Sequence, residues 1–279
     1  MSPLRLGTRG SPLALAQARW VAERLPGEVS LVEITTAGDV GNAVGDKSRW
    51  TGALERALLA GEIDVAVHSA KDVPGELAAG TEIVAVPARE DPRDVLVGAP
   101  SLRALADGAR VGTSALRRRA QLLAVRPDLD VVELRGNVDT RLRKLAAGEV
   151  DALVLAAAGL ARLRCGDVVA APLEGDVFVP APGQGCLALQ ARTGDRIEAV
   201  DDPDSHSALS AERTVVARLD ASCHTPVGVH RGSATLTAFI GLPDGSEWLI
   251  DEAADPEALA ERLLSAGAAD LLARAEALA

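Results

Sequence analysis

The first two-thirds of the chain alternates short apolar runs with longer segments whose apolar residues recur at helical spacing. Such alternation is typical of α/β layers, in which helices pack on a largely parallel sheet. Ser11 followed by Pro12 marks a helix start, because Ser caps the first turn and Pro suits its first position. The pattern predicts, in order, strand 4–8, helix 11–25, strand 29–36, helix 51–60, strands 63–67, 82–86, 95–97 and 110–112, a helix from 114, strand 131–134, a helix from 137, and strands 152–156 and 186–190.

The last third has a different pattern, which predicts a small α+β domain. A turn-rich break at residues 180–185 comes before it, and a helix is expected over residues 207–219. Two strands, 234–240 and 247–250, flank Pro243-Asp244-Gly245, which is a strong hairpin signal. Asp255-Pro256 then caps a final amphipathic helix.

The chain has the features expected of a protein of the cytoplasm. The 279 residues suffice for two or three domains, and the chain has no apolar run of bilayer-spanning length. Its first residues enter a strand pattern without the regions of a signal peptide. Three widely spaced cysteines, Cys165, Cys186 and Cys223, argue against a disulfide framework and permit a reactive thiol.

The charge balance limits the partners of the chain. With 40 acidic and 29 basic residues the net charge is −11, which disfavours a general attraction to nucleic acid or anionic membranes. The chain has no Tyr, and an aromatic content of 2% leaves few side chains that could stack on bases. We therefore predict no nucleic-acid partner and no membrane partner, so any bound anion must be held by local groups of Arg.

Such groups occur where predicted strands lead into helices. Residues 8–11, 113–119 and 134–137 each combine backbone N–H groups at a helix start with Arg, and Arg141 lies one helical turn after Asn137. A single Arg at such a place is best explained as a solvated helix face. Their repetition in an acidic chain instead favours a ligand with several carboxylates or phosphates, which Arg binds with paired hydrogen bonds.

The segment His68-Ser69-Ala70-Lys71-Asp72-Val73-Pro74 directly follows a predicted buried strand. In open α/β folds the carboxyl ends of the strands form the ligand crevice, so Asp72 and Lys71 are candidates for chemistry there. If the backbone remains extended, these two side chains point to opposite sides. Solvated loop residues explain the segment alone equally well.

Other motifs are weak. Gly45-Asp46-Lys47-Ser48 only partly matches a P-loop, and no Gly-x-Gly-x-x-Gly follows a strand, so nucleotide binding is not predicted. No metal site is predicted, because the Cys and His residues lack paired ligand spacing. Cys223 lies between polar residues ahead of a Pro, so it could be an activated nucleophile or an attachment point. The residues alone slightly favour the alternative, an unreactive cysteine.

The motifs taken together resemble those of the hydroxymethylbilane synthase, or porphobilinogen deaminase, family. They lie at residues 6–15, 68–74, 89–93, 112–118, 134–138, 158–160, 183–185 and 223–228, the last beginning Cys223-His224-Thr225-Pro226. The likeness covers nearly the whole chain. It departs at residues 45–50, where the family commonly has Lys-Gly-Leu-Phe and Trp50 replaces the Phe, and at Ala115, which replaces a frequent second Ser.

The resemblance implies a monomeric transferase that joins four porphobilinogen molecules into linear hydroxymethylbilane and releases ammonia. It implies one dipyrromethane cofactor per chain, linked by a thioether to Cys223, with Asp72 as the catalytic carboxylate. The implied cofactor-binding residues are Lys71, Thr113, Ser114, Arg117 and Arg118, and the implied substrate-binding residues are Arg9, Ser11, Arg135, Arg141 and Arg162.

The implied fold is α/β, with two periplasmic-binding-protein-like domains around a cleft and a small C-terminal α+β domain. The expected boundaries are residues 1–90 with 185–202 for the first domain, 91–184 for the second and 203–279 for the third. An alternative of another class is a non-catalytic, two-lobed protein that binds a polycarboxylate. That alternative explains the Arg-bearing junctions but gives Cys223 no task.

Overall fold

The computed structural model describes residues 2–38, 48–165, 168–221 and 225–278. The chain divides into two compact units, unit 1 with Met1–Glu90 and Gly185–Ser210, and unit 2 with Asp91–Gln184 and Ala211–Ala279. Within the described ranges no helix is long and apolar enough to span a membrane.

Strands and helices alternate through most of the chain, as the pattern predicts. The strands are β1 Leu4–Thr8, β2 Val29–Glu33, β3 Val65–Ser69, β4 Thr81–Ala85, β5 Asp94–Val97, β6 Arg110–Thr113, β7 Asp130–Glu133, β8 Ala152–Ala156, β9 Ala170–Pro172, β10 Leu187–Arg192, β11 Val227–Arg231, β12 Leu236–Gly241 and β13 Trp248–Ala253. The helices are α1 Pro12–Ala22, α2 Ser48–Leu59, α3 Leu116–Val125, α4 Val138–Ala146, α5 Ala157–Arg162, α6 Pro203–Arg218, α7 Pro256–Ser265 and α8 Ala268–Ala277.

Unit 1 contains a five-stranded sheet in the order β2-β1-β3-β10-β4. Strand β1 is parallel to β2 and β3, whereas β10 is antiparallel to β3 and β4. The first four residues of β3 are buried because both faces of the strand are covered. Leu6, Val67 and Leu189 from three of the strands pack with Val21 of α1 in one core cluster.

Unit 2 repeats this arrangement in the order β7-β6-β8-β5-β9. Strand β6 is parallel to β7 and β8, and β5 is antiparallel to β8 and β9. In each unit the antiparallel strand is therefore the one that enters just after the chain has crossed from the other unit. Gly185 allows the return crossing, since its φ is 90° and a Cβ there would lie 2.3 Å from the Glu90 carbonyl oxygen.

The C-terminal part has its own antiparallel sheet, β11-β12-β13, and its own core with α7 and α8. Together with the two larger sheets it confirms the predicted α/β class with a small C-terminal α+β part. Asp255 caps α7 by accepting the Ala258 N–H at 2.9 Å, as predicted. The prediction of one final helix is wrong, because Gly267 with φ 101° separates two helices.

Several predicted element ends differ from the structure. Helix α1 ends at Ala22 and not at Leu25, strand β2 ends at Glu33, and β3 extends to Ser69, two residues later than predicted. Two strands, β9 and β11, were not predicted because their sequences lack apolar alternation of sufficient length. Residues 39–47 lie outside the described residues.

Candidate active site

The first part of the candidate site lies at the ends of β1 and β3 in unit 1. These strands are parallel neighbours, with Leu6 paired to Val65 and Gly7 to Ala66. Their carboxyl ends therefore meet at one edge of the sheet, where ligands bind in open α/β folds. The predicted site residues Arg9, Ser11 and Asp72 come together at this edge.

A pocket of about 50 Å³ opens there. Its lining includes Arg9 and Ser11 from the β1–α1 junction, and His68, Ser69 and Asp72 from the end of β3. The Ser11 hydroxyl caps α1 by accepting the Ala14 N–H at 3.3 Å, so its oxygen is already held by the helix.

Asp72 lies in a single turn of 3-10 helix, Ala70–Asp72. The Ala70 N–H donates to the Cys186 carbonyl at 3.1 Å, and the Val73 N–H donates to the Ala70 carbonyl at 3.2 Å. The first bond holds the turn next to the start of β10, the second closes the turn itself, and the Asp72 side chain lies half-buried at the pocket. The expectation of an extended backbone at Lys71 and Asp72 is wrong, so alternation along a strand does not set the directions of these two side chains.

Trp50 of α2 covers Arg9. The Arg9 guanidinium carbon lies 4.0 Å from the centre of the indole ring, a cation–π distance. On the Gly38 side the ring packs against backbone, because a Cβ on Gly38 would fall 2.1 Å from a Trp50 ring carbon. The indole therefore lies between Gly38 and Arg9 and holds the guanidinium at the pocket.

Two polar side chains of the pocket lining, Gln17 and Thr51, were not predicted from the sequence. Gln17 is 3% exposed, and Thr51 is 1% exposed with a buried hydroxyl that has no hydrogen-bond partner among the described residues. His68 is buried as well and bonds to Gln190 on the neighbouring strand β10 at 2.9 Å. A polar residue on an otherwise apolar helix or strand face was the signal for Gln17 and Gln190.

The second part of the candidate site lies in unit 2 around the buried carboxylate of Asp94. Arg117 Nη1 donates to Asp94 Oδ2 at 2.7 Å, and Arg118 Nε donates to Asp94 Oδ1 at 2.9 Å. The three residues are 3%, 5% and 6% exposed. Burial raises the pKa of Asp94, but the charges of Arg117 and Arg118 outweigh burial and hold that pKa well below its usual range.

Arg117 and Arg118 also bind backbone and amide groups. Arg117 donates to Gln121 Oε1 at 2.9 Å and to the Val179 carbonyl at 2.8 Å, and Arg118 donates to the Val154 carbonyl at 3.0 Å. Gln184 donates to Asp94 Oδ1 at 2.9 Å and to the Pro92 carbonyl at 2.6 Å. The cluster therefore connects residues 92–94, at the start of β5, with residues 179–184, which follow the last strand of the larger sheet of unit 2.

A partly buried cation, Arg141, lies next to this cluster. Its Nη2 donates to Ser114 Oγ at 3.0 Å and its Nε donates to the Gly136 carbonyl at 2.8 Å. Burial lowers the pKa of Arg141, and the positive charge of Arg118 lowers it further. Within the part of the chain that the structure describes, Arg141 has no carboxylate partner.

The helix starts beside Arg141 carry no side-chain caps. Ala115 precedes α3 and Asn137 precedes α4, and neither makes a side-chain cap bond. The Thr113 hydroxyl, buried at the end of β6, accepts the Ala115 N–H at 3.2 Å. First-turn N–H groups of both helices are thus left for a ligand or water, together with the positive ends of the helix dipoles.

The remaining predicted residues lie in different surroundings. Arg135 is exposed and its Nε donates to Glu133 Oε1 at 2.6 Å. Arg162 lies in the last turn of α5 and is half-buried. Cys223, with its neighbours Ser222 and His224, lies outside the described residues. Among the described residues no cluster of His, Cys, Asp and Glu could hold a metal ion.

The unit 2 cluster fits a group that carries several carboxylates. Arg117 and Arg118 share one carboxylate, Asp94, and Arg141 next to Arg118 has no carboxylate partner among the described residues. The three cations and one carboxylate leave a surplus of two positive charges. The mutual repulsion of Arg118 and Arg141 would be relieved by a bound anion. The fold is that of an α/β protein, and the chemistry of these two clusters suits a ligand with several negative charges.

Comparison with known proteins gives the family. A family model described as "Porphobilinogen deaminase, dipyromethane cofactor binding domain" matches residues 4–199, and "Porphobilinogen deaminase, C-terminal domain" matches residues 207–266. A porphobilinogen deaminase of Roseiflexus castenholzii is 46% identical, covering 97% of this chain and 98% of the relative. One from Geobacter sulfurreducens is 45% identical, covering 98% and 95%. The chain belongs to the porphobilinogen deaminase family.

Solved structures with a similar backbone are far more distant. A periplasmic substrate-binding protein of an ABC transporter from Coxiella burnetii is 16% identical, with a TM-score of 0.42 over 75% of this chain and 96% of that chain. The probable amino-acid ABC transporter binding protein YtmK from Bacillus subtilis is 11% identical, with a TM-score of 0.43 over 74% and 91%.

Proposed function

We propose that the chain joins four porphobilinogen molecules head to tail into the linear tetrapyrrole hydroxymethylbilane, with release of ammonia at each addition. The observation that carries this proposal is the identity of 46% over nearly the full length of a porphobilinogen deaminase. The position of Asp72 and Arg9 in one pocket supports it, because the reaction needs a fixed carboxylate and a cation for a carboxylate-bearing substrate.

Arg9 and Ser11 bind the substrate in this proposal. Porphobilinogen carries an acetate and a propionate, and a guanidinium can bind either with two parallel hydrogen bonds. The stacking of Arg9 on Trp50 restricts the guanidinium to the pocket side, so less conformational entropy is lost when a carboxylate binds.

Asp72 stabilises the charge that develops during the reaction. When ammonia leaves, the C–N bond pair goes with nitrogen and the pyrrole becomes a cation. A carboxylate that hydrogen-bonds the pyrrole N–H lowers the energy of that cation and can accept a proton. The cation then forms a C–C bond with the free α-carbon of the next pyrrole, which loses its proton.

Residues of unit 2 hold a dipyrromethane cofactor in this account. When bound, the cofactor supplies the pyrrole end to which the first substrate unit is added. Its acetates and propionates would be bound by Arg117, Arg118, Ser114 and Thr113, and Lys71 of unit 1 would contribute a further cation. We propose one cofactor per chain, attached through a thioether to Cys223. Arg135, Arg141 and Arg162 would bind the carboxylates of the growing chain.

The remaining features of the proposal follow the family resemblance. The protein would act as a monomer in the cytoplasm, without nucleic acid. Residues 203–279 would form a separate cofactor-carrying domain beside domains at residues 1–90 with 185–202 and at residues 91–184. The separate core of β11, β12, β13, α7 and α8 supports the third of these domains.

Incubation of the purified protein with porphobilinogen tests the proposal. We expect about four ammonia molecules released for each linear tetrapyrrole formed, the first measured with a coupled ammonia assay and the second by chromatography after acid oxidation. Tight binding of porphobilinogen without any ammonia release would instead support the non-catalytic polycarboxylate-binding protein.

A further inference from the structure

The hydrogen bonds behind the unit 1 pocket fix the tautomer of His68. The Gln190 amide nitrogen donates to Glu55 Oε1 at 3.0 Å and to Thr81 Oγ1 at 2.7 Å, which uses both of its protons. The Gln190 amide oxygen must therefore accept, and its contact with His68 Nε2 at 2.9 Å requires a proton on Nε2. His68 Nδ1 then carries the lone pair.

Two further bonds hold this network in place. The Thr81 hydroxyl donates to the Ala78 carbonyl at 2.7 Å, and Glu55 Oε1 also accepts the Ala78 N–H at 3.1 Å. His68, Glu55, Gln190 and Thr81 are all buried. The Gln190 amide cannot turn over without placing its oxygen against the Glu55 carboxylate, so the assignment of the His68 tautomer is stable.

One ring nitrogen of the pocket residue His68, Nδ1, has no hydrogen-bond partner among the described residues. It does not belong to the fully buried unpaired atoms, which indicates that part of its surface is accessible. His68 lines the pocket together with Asp72, Arg9 and Thr51, whose buried hydroxyl also lacks a partner within the described ranges. The pocket thus presents a neutral acceptor, beside the Asp72 carboxylate, to whatever enters it.

The electrostatic surroundings of His68 favour a cation at Nδ1. Two carboxylates, Glu55 and Asp72, act on the ring, against one cation, Arg9. Burial nevertheless lowers the pKa of His68 to about 4, so the imidazole itself remains neutral near pH 7. A ligand cation with N–H donors can therefore bind there without competing against a charge on the histidine.

We infer that His68 Nδ1 accepts a hydrogen bond from the aminomethyl ammonium group of the substrate and so positions the leaving nitrogen beside Asp72. This inference rests on the proposed function and adds a subsite to it. The ammonium must keep its protons, because the nitrogen leaves as ammonia only from the protonated amine. A neutral, weakly basic acceptor binds the ammonium without removing a proton, whereas a stronger base would block departure.

Two substitutions at His68 test the inference in opposite ways. In H68Q the amide nitrogen of the longer side chain can still donate to Gln190, but no acceptor remains at the position of Nδ1. In H68N the amide oxygen can take the position of Nδ1, but the shorter side chain no longer reaches Gln190. We expect H68Q to raise the KM for porphobilinogen about tenfold or more, since a hydrogen bond to a charged group is lost. H68N should recover most of that affinity although it has the lower melting temperature.

The probe for the subsite is a pyrrole with the same acetate and propionate but a methyl group in place of the aminomethyl group. Its inhibition constant against the holoenzyme should be the same in the wild type and H68Q. H206Q, the same change at a histidine of α6 outside the pocket lining, controls for the loss of an imidazole in unit 1. An equal rise of KM and inhibition constant in H68Q, or no rise in KM, would overturn the inference.

Failure of the proposed function would be seen differently. In that case the wild-type protein itself would release no ammonia from porphobilinogen. Calorimetric binding of porphobilinogen and of the methyl probe would then decide the inference, because only porphobilinogen should bind more weakly to H68Q than to the wild type.

Discussion

Asp72→Asn is expected to abolish nearly all turnover of porphobilinogen and to leave the fold intact. The amide keeps the size of the side chain but removes the negative charge that stabilises the cationic pyrrole. Loss of one preorganised electrostatic group of this kind typically costs about 100- to 1,000-fold in kcat. Asp72 is half-buried and its 3-10 turn is held by backbone bonds of Ala70 and Val73, so circular dichroism and the melting temperature should change little.

Asp64→Asn is the matched control for this substitution. Asp64 is also a carboxylate of unit 1, but it pairs with Arg5 at 2.6 Å and does not line the pocket. We expect near-normal turnover and a stability loss of at most about 1 kcal/mol, the usual range for a partly exposed ion pair. Near-normal kcat in Asp72→Asn would remove Asp72 from its proposed role.

Asp94→Asn is expected to destabilise the protein by about 3–5 kcal/mol, because it leaves Arg117 and Arg118 buried without a countercharge. The measurement is the free energy of unfolding in urea near pH 7. The Asp64→Asn variant again supplies the comparison, since its partner Arg5 is only half-buried and its guanidinium remains solvated. A loss below about 1 kcal/mol for Asp94→Asn would contradict the proposed importance of the cluster for the fold of unit 2.

The same carboxylate predicts a dependence of stability on pH. The pKa of Asp94 is lower in the folded protein than the ordinary value of about 3.9, so the folded state binds its proton less readily than the unfolded state. Its contribution to stability is therefore complete above about pH 4 and is lost as the pH falls further through the folded pKa. Unfolding free energies measured from about pH 5 down to about pH 2 should fall less steeply with acid in Asp94→Asn than in the wild type.

Much of the fold could be predicted from hydrophobic periodicity. The strand ends that bring Arg9 and Asp72 together follow from one rule, that the carboxyl ends of parallel strands share an edge, and β1 and β3 obey it. The ends of the elements were predicted less accurately. Helix α1 ends three residues earlier than predicted and β3 ends two residues later, because tertiary contacts decide where an element stops.

The part of the site that was not predicted depends on contacts between distant residues. Asp94 was not predicted as a site residue, yet β5 places its carboxylate 2.7 Å from Arg117, 23 positions along the chain. The available signal was a carboxylate directly before an apolar strand. Likewise the tautomer of His68 is set by Gln190, 122 positions away, and no local pattern at His68 contains that information.

The arginines that were predicted to bind carboxylates differ in their burial and in their partners. Arg117 and Arg118 are buried and share Asp94, whereas Arg135 is exposed and paired with Glu133. Residue type and position at a helix start were the same for all of them in the sequence. Burial and the choice of countercharge, which decide how strongly each binds a carboxylate, arise only when the strands are assembled.

The intact mass of the purified protein shows whether Cys223 carries the dipyrromethane cofactor. We expect a wild-type chain heavier than its sequence by two condensed porphobilinogen units, with further single-unit additions after brief exposure to porphobilinogen. Cys223→Ser should have the bare sequence mass and no turnover. A wild-type chain at the bare mass that still forms the linear tetrapyrrole would contradict the account.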